Sequence, residues 1–345
     1  AFITIHSSFM AMAPQYSTQY VSPTPLNLAT WILRKEYKHA IIRCRTNPEE
    51  VSMYYKINGA INSQGCTLLH FILCDVEEPI NELHYLLVKT MLEIDPSLPS
   101  MKAFHGFDRE GDEPSGATTL HSLIFELFGC VLVKASQTKY LAKILSLMIH
   151  VDPQCVKVYN KFGLLPLHNA IVSCRHGGSL IRHEPKVFET CFKELLDAFP
   201  QACMERDMYG DESGCLPLHL LCIYAPFYGE ASLFAANLIL DANPGAVCHK
   251  SGKCERLPLH YLLKEMMKPA MDGEKVHPET FTAILKACPP SALFGEDVEG
   301  RTSFDIMWKS RPGVDHDAGC WAMRETILFH LLKLYPHLTS QLMGL

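Results

Sequence analysis

The sequence predicts an all-α chain: a solenoid of about six helix-hairpin repeats, with short β-turn fingers and enlarged loops between helix A and helix B of each hairpin. Two recurring registers and the chain length predict it. At 345 residues the chain exceeds what one hydrophobic core supports, roughly 250–300 residues, so it divides into domains or forms an elongated array. The first register is a phrase that reads GCTLLHFIL from Gly65, GATTLHSLI from Gly116, GLLPLHNAI from Gly163, GCLPLHLLC from Gly214, ERLPLHYLL from Glu255 and GRTSFDIMW from Gly300. Its fixed slot holds His70, His121, His168, His219 and His260, then Asp305, at intervals of 51, 47, 51, 41 and 45 residues. The second register is an apolar run closed by Pro96, Pro153, Pro200, Pro244, Pro289 or Pro336, with two large apolar residues five and four places before each proline. Two independent registers locked together are a repeat signal.

The elements follow in chain order. Residues 1–25, with Pro14, Pro23 and Pro25 among Ser and Thr, read as a flexible or partner-ordered arm. The mildly apolar start, AFITIHSSFMAMA, lacks the basic flank of a secretory signal and reads as a processing remnant or an ordered arm. Residues 26–57 form a capping segment. Its single helix runs from Leu28 to Cys44, and Trp31, Ile32, Tyr37, Ile41 and Ile42 cover the apolar flank of the first repeat. Residues 58–345 form the repeat array, in units near 62–99, 112–156, 160–203, 211–247, 251–292 and 297–345. Each opens on a turn, because Asn62, Asn160, Asp211 and Asp297 stand three places before a glycine, and Asx and Gly both tolerate positive φ. Glu113 holds that place before Gly116. A short helix A follows, then a variable insertion, then the longer helix B. In 188–199, Phe188, Cys191, Phe192, Leu195, Leu196 and Phe199 recur at helical spacing and give one buried stripe. Proline stops each helix B by removing a donor and disfavouring α geometry just before it. Asp305, in the histidine slot, marks the last unit as the C-terminal cap.

The turn glycine and the Pro-Leu-His core, complete at 166–168, 217–219 and 258–260, resemble the ankyrin repeat, whose signature is D-x-x-G followed by T-P-L-H. The resemblance covers about residues 58–345. It implies two antiparallel helices per unit, a histidine that bridges backbone groups of neighbouring units, and partner binding through the concave helix-A face and the turn tips. Pro166, Pro217 and Pro258 suit the first helical turn, where the missing N–H has no partner to lose. The period of 41–51 is longer than the ankyrin 33. Leu165, Leu216 and Leu257 replace the threonine, a loss of about 1 kcal/mol per helix unless another group caps it. The extra length falls between helices A and B, at 175–185, 224–232, 268–279 and 311–323. A plain helical-hairpin solenoid is the alternative fold, one that leaves the Gly-x-x-Pro-Leu-His phrase unexplained.

Composition narrows the function classes. Apolar residues at 48% and charged residues at 20% exclude a disordered or collagen-like chain. Lys and Arg number 31 against 37 Asp and Glu, a net charge of −6, which argues against nucleic-acid binding as the main role. No run approaches the roughly 18 apolar residues of a spanning helix, so a soluble protein is expected. The 14 cysteines are scattered without a CxxC pair, which points to reduced, buried thiols in an intracellular reducing compartment: cytoplasm, nucleus or an organelle interior.

The five histidines invite a metal or acid–base reading. Equivalent positions of a stacked array lie on the order of 10 Å apart, however, and a metal needs its ligands at about 2 Å, so a structural role is expected. Cys248, His249 and Cys254, near His260, are the closest approach to a zinc set, at a spacing that matches no familiar finger; Cys174, His176 and His183 are weaker. Arg175, His176, Arg182, His183 and Lys186 make a small basic cluster, read as a solvated loop. No G-x-S-x-G, phosphate-binding loop, dinucleotide fingerprint, H-E-x-x-H or EF-hand loop appears. No cofactor, metal or small-molecule substrate is expected.

The expected function is therefore binding, by a non-enzymatic protein–protein scaffold or adaptor that could be a subunit of a larger assembly. The candidate groove comprises Phe71, Phe125, Asn169, Leu220, Ile223, Tyr261 and Lys264, and the candidate tips are Lys161, Phe162, Met208 and Tyr209. A groove this apolar either meets a protein partner or is covered from within by the insertions. Two alternatives stay open: a metal-dependent or hydrolytic module built on insertion residues such as Asp315, His316 and Asp317, and a regulatory subunit attached to a membrane complex through residues 1–25.

Overall fold

The computed structural model describes residues 27–55, 66–74, 79–103, 116–129, 135–174, 184–208, 214–224, 229–266, 278–309 and 318–336. Among these the chain is all-α, apart from one two-residue antiparallel pair, β1 (Tyr54–Tyr55) with β2 (Cys66–Thr67). No helix among them is long and apolar enough to cross a membrane.

The capping segment is two helices rather than one, α1 (Leu28–Leu33) and α2 (Tyr37–Thr46). The break falls at Lys35, whose φ of 61° lies in the left-handed region and cannot continue a helix. Asn27 caps α1, its side chain accepting from Thr30 N at 2.9 Å. Glu50 ties both pieces together by accepting from Leu28 N and from the Arg43 guanidinium. Ile32 and Tyr37 are buried, Trp31 and Ile41 are partly buried against the core, and Ile42 is 59% exposed.

Six hairpins follow. Their short first helices are α3 (Leu68–Cys74), α5 (Thr119–Ile124), α7 (Pro166–Ser173), α9 (Pro217–Tyr224), α11 (Pro258–Met266) and α14 (Ser303–Lys309). Their longer second helices are α4 (Glu82–Ile94), α6 (Ala135–Val151), α8 (Pro185–Ala198), α10 (Gly229–Ala242), α12 (Pro278–Ala287) and α15 (Ala318–Leu334); a single-turn α13 (Pro290–Leu293) follows α12. A π-helical turn, Phe125–Gly129, extends α5. Every second helix ends two residues before its proline, where the residue preceding a proline ring is driven out of α geometry.

Each first helix packs on the next, from α3 through α14, and each second helix packs on the next, from α2 and α4 through α15. The core lies between the two rows. Leu87, Met91 and Leu92 from α4, Ile144, Leu145 and Met148 from α6, and Ile284 and Leu285 from α12 are buried there. Each such side chain contributes about 1.5–3 kcal/mol when fully buried.

Candidate interaction surface

In the first five hairpins the turn that opens the first helix is held by one imidazole. Nδ1 of His168 accepts from Leu165 N, Nδ1 of His219 from Leu216 N and Nδ1 of His260 from Leu257 N, each at 3.1 Å. A backbone N–H donates only, so Nδ1 is bare and the proton sits on Nε2. That N–H donates forward to a carbonyl of the following turn: His70 to Ala117 (3.3 Å), His121 to Leu164 (3.0 Å), His168 to Glu205 (3.2 Å), His219 to His249 (2.9 Å) and Arg256 (3.1 Å), and His260 to Arg301 (3.0 Å). The ring thus replaces the hydroxyl cap that Leu165, Leu216 and Leu257 lack. Where threonine is present, the hydroxyl joins in: Thr67 and Thr118 lie 2.8 and 2.7 Å from the Nδ1 of His70 and His121. Burial pushes these imidazoles down, to about 4 for His70, His121 and His168 and about 3 for His219, with His260 also lowered, so all are neutral at pH 7. Asp305 keeps the local half of this role, accepting from Thr302 N at 2.9 Å and from its hydroxyl at 2.8 Å. A carboxylate has no N–H to send forward.

Three of the described fingers close on an Asx side chain. Oδ1 of Asn160 accepts from Phe162 N and Leu164 N, and Oδ1 of Asp297 from Glu299 N and Arg301 N. Before Gly214 the acceptor is Asp207, bonded to Gly214 N (2.9 Å) and Cys215 N (2.7 Å). The sequence spacing pointed instead to Asp211, which lies outside the described residues. The fourth finger carries four extra residues, so the acceptor sits seven places before its glycine and a fixed spacing misses it. In the fifth finger the Ser251 hydroxyl takes this place, accepting from Arg256 N at 3.1 Å. Gly163 has φ +65°, and a Cβ there would meet the Met208 Cβ at 2.7 Å, so this glycine both turns the chain and admits the next finger.

The chain matches no protein-family model and no curated protein.

The candidate groove residues divide. Leu220 and Tyr261 are 2% and 1% exposed, so these two are core rather than surface. In the fourth and fifth hairpins the first helices pack on their neighbours closely enough to enclose the position after the histidine. The Tyr261 ring stands edge-on to His219 at 5.9 Å, and its hydroxyl lies 3.0 Å from Ser251 Oγ, which satisfies the one polar atom it brings inside. Phe71 and Ile223 are half-buried against the core, Lys264 is half-buried, and Asn169 donates to the His121 carbonyl at 3.1 Å. Phe125, in the π turn, is 44% exposed. The tips are more open: Lys161 is exposed, Phe162 is 39% exposed and Met208 71%. Tyr209 and Gly65 lie outside the described residues, as do residues 1–25, Arg175, His176, Arg182, His183, and Asp315, His316 and Asp317. Lys186 is exposed and paired with Glu189 at 3.0 Å.

Sequence reasoning also missed Arg206, which donates to the carbonyls of Gly214 (2.6 Å) and Lys250 (2.8 Å) and links the fourth finger to the fifth. It missed Asp297 as a charge centre too. Arg301 lies at 2.9 Å and Arg256 at 3.5 Å from its carboxylate. Burial opposes its charge, but the Arg301 guanidinium and the backbone N–H groups outweigh burial and hold the carboxyl down to about 2. The imidazoles are spent on backbone, and the Cys155, Cys174, Cys191, Cys203 and Cys288 thiols are pushed up to about 12 by burial. Cys248 is exposed and Cys254 half-buried, His249 Nδ1 donates to the Gly245 carbonyl at 2.8 Å, and both nitrogens of His260 are engaged. Among the described residues no group of three or more His, Cys, Asp or Glu side chains is gathered to hold a metal.

Proposed function

We propose that the chain is a non-enzymatic interaction scaffold: a divergent, long-period ankyrin-like solenoid that binds protein partners through its finger row and the open part of its first-helix face. The observation that carries this reading is the use of the histidines. In each of the first five hairpins the residue best suited to chemistry is buried, neutral and bonded through both nitrogens, with its Nε2 proton reaching the following turn. Such a device orders a row of fingers and leaves the ring no capacity to act as acid, base or nucleophile. The fingers in turn present Lys161, Phe162 and Met208 to solvent, which fits recognition by contact. Reconstitution tests the reading. A chain recovered from native cells with this protein should bind it again when both are pure, at fixed stoichiometry. Failure of every recovered chain to rebind, or a turnover reaction traced to this protein alone, overturns it.

A further inference from the structure

We propose that Cys248 and Cys288 are an oxidisable thiol pair, closed by exchange with glutathione disulfide into a reversible staple between the fourth and fifth hairpins. The pair stands outside the scaffold reading and adds a modification site to the array. A third register in the chain points to it. At successive boundaries the residue four places after one helix-stopping proline meets the residue just before the next such proline. From Pro48 and Pro96, Ser52 Oγ donates to the Asp95 carboxylate; from Pro96 and Pro153, Ser100 Oγ donates to the Asp152 carboxylate. From Pro153 and Pro200, Lys157 Nζ lies 5.5 Å over the Phe199 ring. At the next boundary Asn243 reaches back to the Cys203 carbonyl at 2.9 Å, one residue before Met204. The same count from Pro244 and Pro289 selects Cys248 and Cys288. There both places hold a thiol.

The two thiols divide the chemistry. Cys248 ends the 3₁₀ turn Pro244–Cys248 and is exposed, whereas Cys288 is 2% exposed. That turn packs against α12 and α13, the helices on either side of Cys288. The Tyr335 hydroxyl donates to the Cys288 carbonyl at 2.6 Å and fixes its backbone. Burial pushes the Cys288 thiol up to about 12, and negative charge on Cys248 adds to the rise, so the two sulfurs lie within each other's field. A bridge needs Cβ carbons about 3.5–4.5 Å apart. The hydroxyl–carboxylate contacts at the same two places hold the Cβ carbons near that range, and Cys248 closes a turn open to solvent. The exchange then runs in two steps. The Cys248 thiolate attacks one sulfur of glutathione disulfide, and one glutathione leaves as its thiolate. The Cys288 thiol gives its proton to solvent and attacks Cys248 Sγ, expelling the second glutathione thiolate. Two protein thiols lose two electrons in all, and one glutathione disulfide is reduced to two glutathiones. Burial of Cys288 makes the second step the slow one.

The test incubates the intact, fully reduced protein in glutathione buffers from reduced to oxidised. Samples are quenched in acid, unfolded, alkylated and mapped by mass spectrometry. Cys248 and Cys288 should leave the alkylatable pool together and appear as one cross-linked peptide pair, and reduced glutathione should return both. Glutathione on Cys248 should appear first, and it should accumulate in Cys288→Ala. The oxidised protein should melt at a higher temperature than the reduced one, because the bridge closes a loop between positions 40 apart. Cys248→Ser should abolish that shift. The proposal is overturned by a Cys248 that stops at the glutathione adduct, or by a link from either thiol to another cysteine such as Cys222 or Cys254. Retention of both thiols in oxidised buffer, or a bridged protein that melts no higher than the reduced one, overturns it too. The map of the unsubstituted protein decides the pairing even where a variant does not fold.

Discussion

A single imidazole plays two parts in each of the first five hairpins, and from the second to the fifth removing it leaves two backbone groups without their ring partner. His168→Ala leaves Leu165 N and the Glu205 carbonyl without their ring partner. At about 1–3 kcal/mol for each buried group left unpaired, the loss should be about 2–6 kcal/mol, and thermal melting reads it directly. An unchanged melting temperature would contradict the double role. The fifth hairpin offers the opposite experiment. Glu255 stands in the slot that glycine fills in the others and is held at φ 49°. A non-glycine residue there is strained, and its ion pair with Lys250 at 3.1 Å is half-exposed and contributes little. Glu255→Gly should therefore stabilise the protein by about 0.5–1 kcal/mol in urea denaturation.

The third to sixth fingers are elements set by one side-chain acceptor each, and the fourth separates local spacing from real geometry. Asp207 is buried and caps two backbone donors, although a fixed three-residue spacing selects Asp211. Asp207→Ala should cost about 1–3 kcal/mol, with Asp211→Ala close to neutral; the reverse order in denaturant midpoints would refute the assignment. The capping helices teach a related lesson. Their apolar residues read as one continuous helix, yet Lys35 turns left-handed between them, so Tyr37 and Ile32 both reach the core and Ile42 does not. Local periodicity does not report a change of direction.

At the scale of the molecule, five neutral buried histidines make stability depend on acid. Burial lowers all five below the unfolded value of about 6.5, to about 4 for His70, His121 and His168 and about 3 for His219, so the unfolded chain binds more protons on the way down. The stability they provide is complete above about pH 6.5 and is lost as pH falls from there, towards 4 for His70, His121, His168 and His219, at about 1.4 kcal/mol per pH unit for each of these four rings. Urea midpoints should thus drop steeply between pH 6.5 and 4.5, and a midpoint constant over that range would exclude the coupling. Asp297 acts in a separate, lower window, because its depressed carboxyl loses its contribution only as pH falls from about 4 to about 2. The thiols give a second global readout. Of the described cysteines, Cys248 should be alkylated first in native protein and Cys155, Cys203 and Cys222 only on unfolding, as mapped by mass spectrometry. Modification of those three at the rate of Cys248 would show a looser core.

How much was legible depended on whether the signal was local. Pro96, Pro153, Pro200, Pro244, Pro289 and Pro336 each stop a helix through the backbone of their own neighbours, so helix ends could be read from the chain alone. The turn glycines are equally local, since positive φ is a property of one residue. Leu220 and Tyr261 were misplaced on an open face because burial depends on how closely the next helix approaches, and no spacing within one hairpin encodes that distance. The forward partner of each histidine and the bridge made by Arg206 likewise join residues 30 to 47 positions apart. The sequence alone thus determined where helices and turns begin and end, through bonds between near neighbours. Tertiary structure alone decided which of their side chains meet water, because that depends on what packs against them from elsewhere in the chain.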